Sequence, residues 1–357
     1  MTKTLPFRKE VPLEETWDIS GLFTSDDEFY QTLTETIRSA KAFNAQYVNQ
    51  LNDVQIIEQA LDDYSEILIQ LDRMANYAEL RLSVDTANEH SQTLSAKLST
   101  SYGKIASELS FVVSEITSLS ESDLDELINI SKYPHFLTKV KSKKAYELSP
   151  EVEKVLASLS PTFDSAYELY GTTKMLDINF ESFKHNNQLY PLDYATFENE
   201  YEDNPDTTFR KTSFKYFSDA LRKYQHTTAA TYNMQVQQEK IEADLRGYDS
   251  VIDYLLQDQE VTRDMFNRQI DVIMSDLAPI MQKYAKLIKR VHGLEVMGFE
   301  DLKVSIDPDY EPEISIEESK QYIYGALEVL GEDYLKMVES AYYDRWIDFA
   351  QNKGKDT

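Results

Sequence analysis

The stretch IEQALDDYSEILIQLDRMANYAELRL, residues 57–82, decides the fold class. Its Ile57, Leu61, Tyr64, Leu68, Leu71, Ala75, Ala78 and Leu82 recur in alternating steps of four and three. That spacing lays them on one stripe of a helix and predicts a seam against a neighbouring helix. A second stripe follows at Leu94, Leu98, Ile105, Leu109, Val112, Ile116 and Leu119. The polar stretch 85–92 between the stripes turns the chain back, so the pair predicts an antiparallel helical hairpin. The seam is short for a free-standing coiled coil, and other helices are available to cover it. Core packing is the expectation.

Composition agrees with a helical chain. Only 9 of 357 residues are Gly and 10 are Pro. Turns consume both residue types, so their scarcity implies few turns and argues against a sandwich or barrel. Neither G-x-G-x-x-G nor G-x-x-x-x-G-K-[ST] occurs, which removes the Gly-rich nucleotide folds. Lys and Arg number 36 against 63 Asp and Glu, a net charge of −27. Phosphate backbones are held by Lys and Arg displacing counterions, so nucleic acid is excluded as a main partner. Without a single cysteine the chain has no disulfide, thiolate nucleophile, thiolate zinc site or iron–sulfur cluster. No apolar run approaches the ~18 residues of a membrane span, and the first ten residues lack a signal-peptide core. The expectation is a cytoplasmic protein with no membrane partner.

Working outward, residues 1–24 read as an extended arm. Ser25-Asp26-Asp27-Glu28 is a capping-box pattern, opening a helix to about Tyr47. Ser149-Pro150-Glu151 starts a helix expected to reach about Gly171. Ile178, Phe180, Phe183, Leu189 and Tyr190 flank the polar tip Lys184-His185-Asn186-Asn187-Gln188, which predicts a short β-hairpin with Asn supplying positive φ. Helical patterns resume at Tyr194–Tyr201, after Asn204-Pro205-Asp206, and from Thr262 through Phe266, Ile270, Ile273, Leu277, Ile280, Tyr284, Leu287 and Val291 to a stop at Gly293. Ser315-Ile316-Glu317-Glu318 is a third capping pattern, before the last helices. No repeat of fixed period occurs. The break between regions falls near 180–203. The expected division is an arm at 1–24, a helical lobe ending in the hairpin at 25–190, and a second, incomplete helical region at 191–357.

The residues alone point to no catalytic, cofactor-binding or metal-binding side chain. His90, His135, His185, His226 and His292 include no pair at i, i+3 or i, i+4, the spacing that sets two imidazoles on one helix face. Solvated or cap histidines are the expectation. Asp307, Asp309, Glu311 and Glu318 imitate a calcium loop, but its sixth position requires a Gly at positive φ and here is Pro312. There is no G-x-S-x-G elbow, and carboxylates are too abundant to single out a pair.

Three stretches are more specific. Arg8-Lys9-Glu10-Val11-Pro12 with Thr16-Trp17-Asp18-Ile19-Ser20-Gly21-Leu22-Phe23 resembles the amino-terminal arm of oligoendopeptidase F, a thimet-oligopeptidase-like zinc endopeptidase family. Arg246-Gly247-Tyr248-Asp249-Ser250 resembles that family's Arg-Gly-Tyr-x-Ser segment. Gly331 and Tyr334, then Arg345-Trp346-Ile347-Asp348 and Asn352-Lys353-Gly354-Lys355, are similar to its stretch upstream of the zinc motif. The resemblance implies a mostly α fold: long antiparallel helices in an amino-terminal lobe, one β-hairpin, and the first helices of a zincin-type channel in which short peptides are cut. It also implies zinc held by the two His of H-E-x-x-H and a following Glu, with the motif Glu activating water. H-E-x-x-H does not occur in this sequence, so no catalytic or metal residue carries over and no zinc is expected in this chain.

The first reading is therefore the amino-terminal part of a zinc metalloendopeptidase, inactive alone, whether by truncation, frameshift or natural split. Its partners are oligopeptides in the complete enzyme and a separately encoded carboxyl-terminal half, or a second copy. Net charge favours basic peptides, with salt weakening the preference. The alternative is a non-catalytic helical peptide-binding or interaction module. On the first reading Leu327, Leu330, Leu335, Met337, Tyr342, Tyr343, Trp346, Ile347 and Phe349 lack part of their cover, and the last roughly 50 residues exchange amide hydrogens quickly.

Overall fold

A computed structural model of the chain describes residues 5–307, 310 and 312–355; Asp309 and Glu311 of the rejected calcium pattern lie outside the described residues. The lobe begins with α1 (Asp26–Tyr47), α2 (Val54–Ser83) and α3 (Glu89–Leu109). Asp26, at the start of α1, pairs with Arg81 near the end of α2 and with His90 near the start of α3. At the other end Asn44 donates to the Glu108 carbonyl. The three helices thus run up, down and up, and the expected α2–α3 hairpin has α1 as a third member.

That third member moves the seam. Ile57, Leu61, Leu71 and Ala78 are buried as expected, but Leu68 and Ala75 are exposed, and Ile67, Met74 and Tyr77 take the inner positions. A two-helix seam is narrow, whereas a helix touching two neighbours buries a wider face. The second stripe is buried from Leu94 to Ile116, but bends at Ser110 into α4 (Phe111–Ser118). Ser25 caps α1 by accepting from the Glu28 N–H, while the Glu28 carboxylate reaches Thr24 rather than back to Ser25.

Next come α5 (Glu121–Ile130), α6 (Pro134–Lys143) and α7 (Pro150–Phe163). The helix expected to reach Gly171 breaks at Asp164, just after Pro161, and α8 (Ser165–Thr172) continues it. Pro161 lies against Gly103 of α3, where a Cβ would meet the proline ring at 3.0 Å. A side chain at this position would push α3 and α7 apart by a few tenths of an ångström. One apolar core runs from Phe23 to Val140 through the lobe.

The hairpin is present: β1 (Phe183–His185) pairs antiparallel with β2 (Gln188–Tyr190). The strands absorb most of the expected tip, leaving a two-residue turn in which Asn186 and Asn187 have φ +47° and +63°. α9 (Tyr194–Thr196) leads through a π-helical turn to α10 (Thr207–Lys223). Phe183, Leu192, Phe197, Tyr201, Phe209 and Phe217 form a second, aromatic core. Beneath it Arg210 and Asp301 pair at 2.7 Å with both side chains fully buried.

The rest is less enclosed. α11 (Gln225–Arg246) and α12 (Val251–Asp258) precede α13 (Arg263–Val272), which passes through a π-helical turn into α14 (Ala278–Val291) and ends at Gly293, φ +61°. Along α13 and α14 the apolar stripe is as expected, but Ile270, Ile273, Leu277, Ile280, Tyr284 and Val291 face solvent; Phe266 and Leu287 are half-buried, and only Ile288, one position off the stripe, is fully buried. α15 (Ile316–Leu327), opened by the full Ser315–Glu318 capping box, and α16 (Glu332–Tyr343) complete the elements. Leu330, Met337, Tyr343 and Trp346 are exposed; Leu327, Leu335, Tyr342, Ile347 and Phe349 are half-buried. The chain is mostly helical with one small sheet, and no helix among the described residues is long and apolar enough to cross a membrane.

Candidate functional site

Two of the three stretches singled out in the sequence meet each other. Asp348, in the last stretch, accepts from Arg8 at 3.0 Å through one guanidinium nitrogen and more closely through the other. It also accepts from the Trp17 N–H and from Lys355 at 2.6 Å. Asn352, 2% exposed, accepts from Arg8 and donates to the Val84 carbonyl at the α2–α3 turn. Backbone bonds join Phe349 to Glu15, Asp18 to Arg345 and Thr86 to Gly354. The arm is consequently not simply extended: it holds two short 3₁₀ turns, Arg8–Glu10 and Leu13–Glu15, and is one side of a clasp. Burial alone would raise the Asp348 pKa, but the hydrogen bonds from Arg8 and Lys355 outweigh it and hold the carboxyl below its ordinary value. The clasp also corrects the expectation of a uniformly loose end, because residues 345–355 are tied into the lobe.

The third stretch is a joint between the lobe and the second region. α11 ends where Gly247 adopts φ +80°, and Ser250 restarts the helix by accepting from the Asp253 N–H. Between these caps Arg246 reaches across to Glu153 of α7 in a two-bond fork of 2.6 and 3.0 Å. Tyr248 stacks on Tyr146, with centroids 3.7 Å apart and planes 10° off parallel. Burial alone would lower the Arg246 pKa and raise that of Glu153; their mutual hydrogen bonds reverse both shifts. Burial raises the nearby Glu147 carboxyl, against the hydrogen bond from Ser114 and with the charge of Glu153. Burial beside Tyr146 pushes the Tyr248 phenol up to about 12.

Cavities of about 340 and 490 Å³ flank the tyrosine stack, the first reached by Glu147, Glu242 and Tyr254, the second by Lys139, Asp253 and Arg263. The Glu153 carboxylate is committed to Arg246 and the Tyr248 phenol keeps its proton. The arrangement fastens two regions together and provides no paired nucleophile and base.

The histidines are dispersed. His90 meets Asp26, His135 lies 3.6 Å from Glu260, His185 meets Asp206 at 3.0 Å, and His292 meets the Ser305 carbonyl at 2.7 Å. His185 departs from the solvated expectation, since its side chain is only 10% exposed within the aromatic core. Among the described residues no three His, Cys, Asp or Glu side chains converge as a metal set. The residues present do not fit a zinc centre, and no step through zinc is assigned to them.

A third concavity went unnoticed in the sequence. It runs between α8 and α11 and is walled by Tyr170, Tyr194 and Tyr232. The 167/170 and 228/232 spacings are ordinary helical neighbours and read equally well as core, so periodicity gives no sign of it.

Comparison with known proteins assigns this architecture. The family model described as Oligopeptidase F matches residues 115–180, and that described as Peptidase family M3 matches residues 200–357. The chain is 26% identical to the oligopeptidase PepF of Bacillus subtilis, over 98% of its own length and 53% of that protein's. It is 27% identical to the group B oligopeptidase PepB of Streptococcus agalactiae, over 98% and 58%. It thus spans just over half the length of the curated relatives it matches. The crystal structure of oligoendopeptidase-F from Enterococcus faecium superposes with a TM-score of 0.72 at 21% identity, covering 88% of this chain and 61% of that one. Glu153 and Arg246 lie in different matched segments, so the joint ties together the parts that the two models describe. With those models jointly taking in more than half of the chain, and relatives matched along nearly all of it, the chain is similar to the oligopeptidase F group of peptidase family M3.

Proposed function

We propose that the chain supplies the arm (1–24), the lobe (25–190) and the opening of the peptidase domain (191–357) of a cytoplasmic zinc oligoendopeptidase that hydrolyses short peptides. On this reading it is inactive alone. The remaining length of the family carries H-E-x-x-H and covers the apolar faces of α13 to α16, forming a channel around the peptide. The observation that carries the proposal is the pairing of two facts: a match spanning nearly all of this chain but about half of its relatives, and a 263–291 helical stretch whose apolar stripe is largely exposed. At about 25 cal/mol per Å² such a stripe represents several kcal/mol of unused burial. When bound by the family's motif, zinc polarises the scissile carbonyl and lowers the pKa of its water to about 7. This chain's part is to hold the frame and the peptide.

The test has two stages. The coding DNA is read beyond codon 357 in all frames, and the polypeptide it encodes is produced separately. The proposal expects H-E-x-x-H within that sequence, no cleavage of a fluorogenic oligopeptide by this chain, and chelator-sensitive cleavage once the two are combined. Absence of the motif over several hundred codons would favour the non-catalytic peptide-binding module. Cleavage by this chain with one tightly held zinc would overturn the inactive reading.

A further inference from the structure

The concavity between α8 and α11 consists of two adjoining cavities, about 490 and 330 Å³, which share Tyr170, Thr228 and Tyr232. Its floor is small and apolar. Ala166, Thr173 and Thr231 are buried, and both threonine hydroxyls donate back into their own helices, to the Leu169 and Thr228 carbonyls, so neither hydroxyl proton is left for a ligand. Its walls are aromatic and accessible, with Tyr232 71% exposed. Among the described residues the hydroxyls of Tyr167, Tyr170, Tyr194 and Tyr232 have no hydrogen-bond partner. Burial, with Tyr170 and the charge of Glu198 adding to it, pushes the Tyr194 phenol up to about 12, so its hydroxyl stays a donor throughout the physiological range.

One end carries charge. Lys174 lines the larger cavity with its ammonium 5.0 Å from the Tyr194 ring, and no carboxylate of the described residues pairs with it. In a chain of net charge −27 most of the surface repels an anion. A lysine without an acidic partner, beside an apolar aromatic trough, offers an anionic group both a counter-charge and cover for what is attached to it.

We propose that this trough binds the carboxyl-terminal end of an oligopeptide, with the terminal carboxylate on Lys174, an apolar or aromatic side chain between Tyr170 and Tyr232, and backbone carbonyls accepting from the tyrosine hydroxyls. The proposal rests on the reading of the chain as part of an oligopeptidase and names where that enzyme holds the peptide's end. It requires neither zinc nor cleavage. Tyrosine pairs supply rigid contact area together with a polar tip, the combination by which aromatic-lined grooves take extended peptides.

The test is fluorescence anisotropy of an amino-terminally labelled Gly-Ser-Gly-Ala-Phe peptide, as the free acid and as the carboxyl-terminal amide, titrated with this chain. The acid is expected to bind about tenfold tighter than the amide. Lys174→Met brings the acid to the level of the amide, Lys174→Arg preserves the difference, and Tyr232→Ala weakens both forms about tenfold. Equal affinity of acid and amide, or discrimination that survives Lys174→Met, would overturn the proposal. So would concentration-dependent dimerisation abolished by Tyr232→Ala, which would make a second copy the occupant. Because binding is read without hydrolysis, failure here leaves the two-stage test of the peptidase reading intact.

Discussion

The lobe and the 263–343 stretch carry the same kind of pattern and meet different fates. In the lobe, Ile57, Leu71, Leu94, Ile105 and Ile116 lie on stripes that face one another and are buried. In α13 and α14 the stripe is at least as regular, and most of it faces water. An amphipathic helix states that one face wants cover, and it does not state what covers it. Local sequence decides the helix; the partner decides whether its apolar face contributes to stability.

The largest expected effect breaks the idea that the second region is loose throughout. Asp301→Ala leaves the Arg210 guanidinium buried and uncompensated, and should cost about 3–5 kcal/mol. The urea midpoint read by near-ultraviolet circular dichroism of the aromatic core checks this, and a change under 1 kcal/mol would show that the Arg210–Asp301 pair is not structural. Next, Leu94→Ala in the fully buried middle of the lobe should cost about 2–5 kcal/mol by far-ultraviolet unfolding.

A smaller effect sharpens the boundary between the two regions. Both tryptophans of the chain, Trp17 and Trp346, sit in the clasp, so tryptophan fluorescence reports on it while circular dichroism follows the helices. The folded Asp348 carboxyl is held below its ordinary value of 3.8, so its contribution is complete above that pH and lost as pH falls through the lowered value. A fluorescence transition below pH 3.8, preceding loss of helix, is expected. Arg8→Ala should move it to higher pH, and an unmoved transition would detach Asp348 from it. The smallest effect is at the uncovered stripe: Ile280→Ser should alter stability by less than about 0.5 kcal/mol while reducing dye binding and self-association, read by sedimentation.

What the sequence made legible follows the range of the interactions. The start of α1, the Asn186–Asn187 turn, the stop at Gly293 and the Ser315 box depend on residues within a few positions, and all appear where expected. The inner face of α2 was misassigned by one residue at Leu68 and Ala75, because a third helix that periodicity cannot foresee covers Ile67 and Met74. The break at Asp164 was missed where Pro161 is held against Gly103. Of the sites, Arg246 to Ser250 and the Arg8 and Asp348 stretches were singled out by resemblance, but their roles as joint and clasp required tertiary structure. The tyrosine trough was illegible because two helices distant in sequence supply its walls.

The clasp also has a history in time. Arg8 and Asp348 are 340 residues apart. At the roughly 5–20 residues per second of protein synthesis, the arm emerges roughly 20–70 s before the strip that grips it exists. Closing a loop of a few residues takes well under a microsecond and helices form in about a microsecond, so the lobe can mature around an arm still waiting for its partner. The arm, made long before its partner, is thus among the last segments to settle, and its docking registers that synthesis has travelled the whole distance to residue 348.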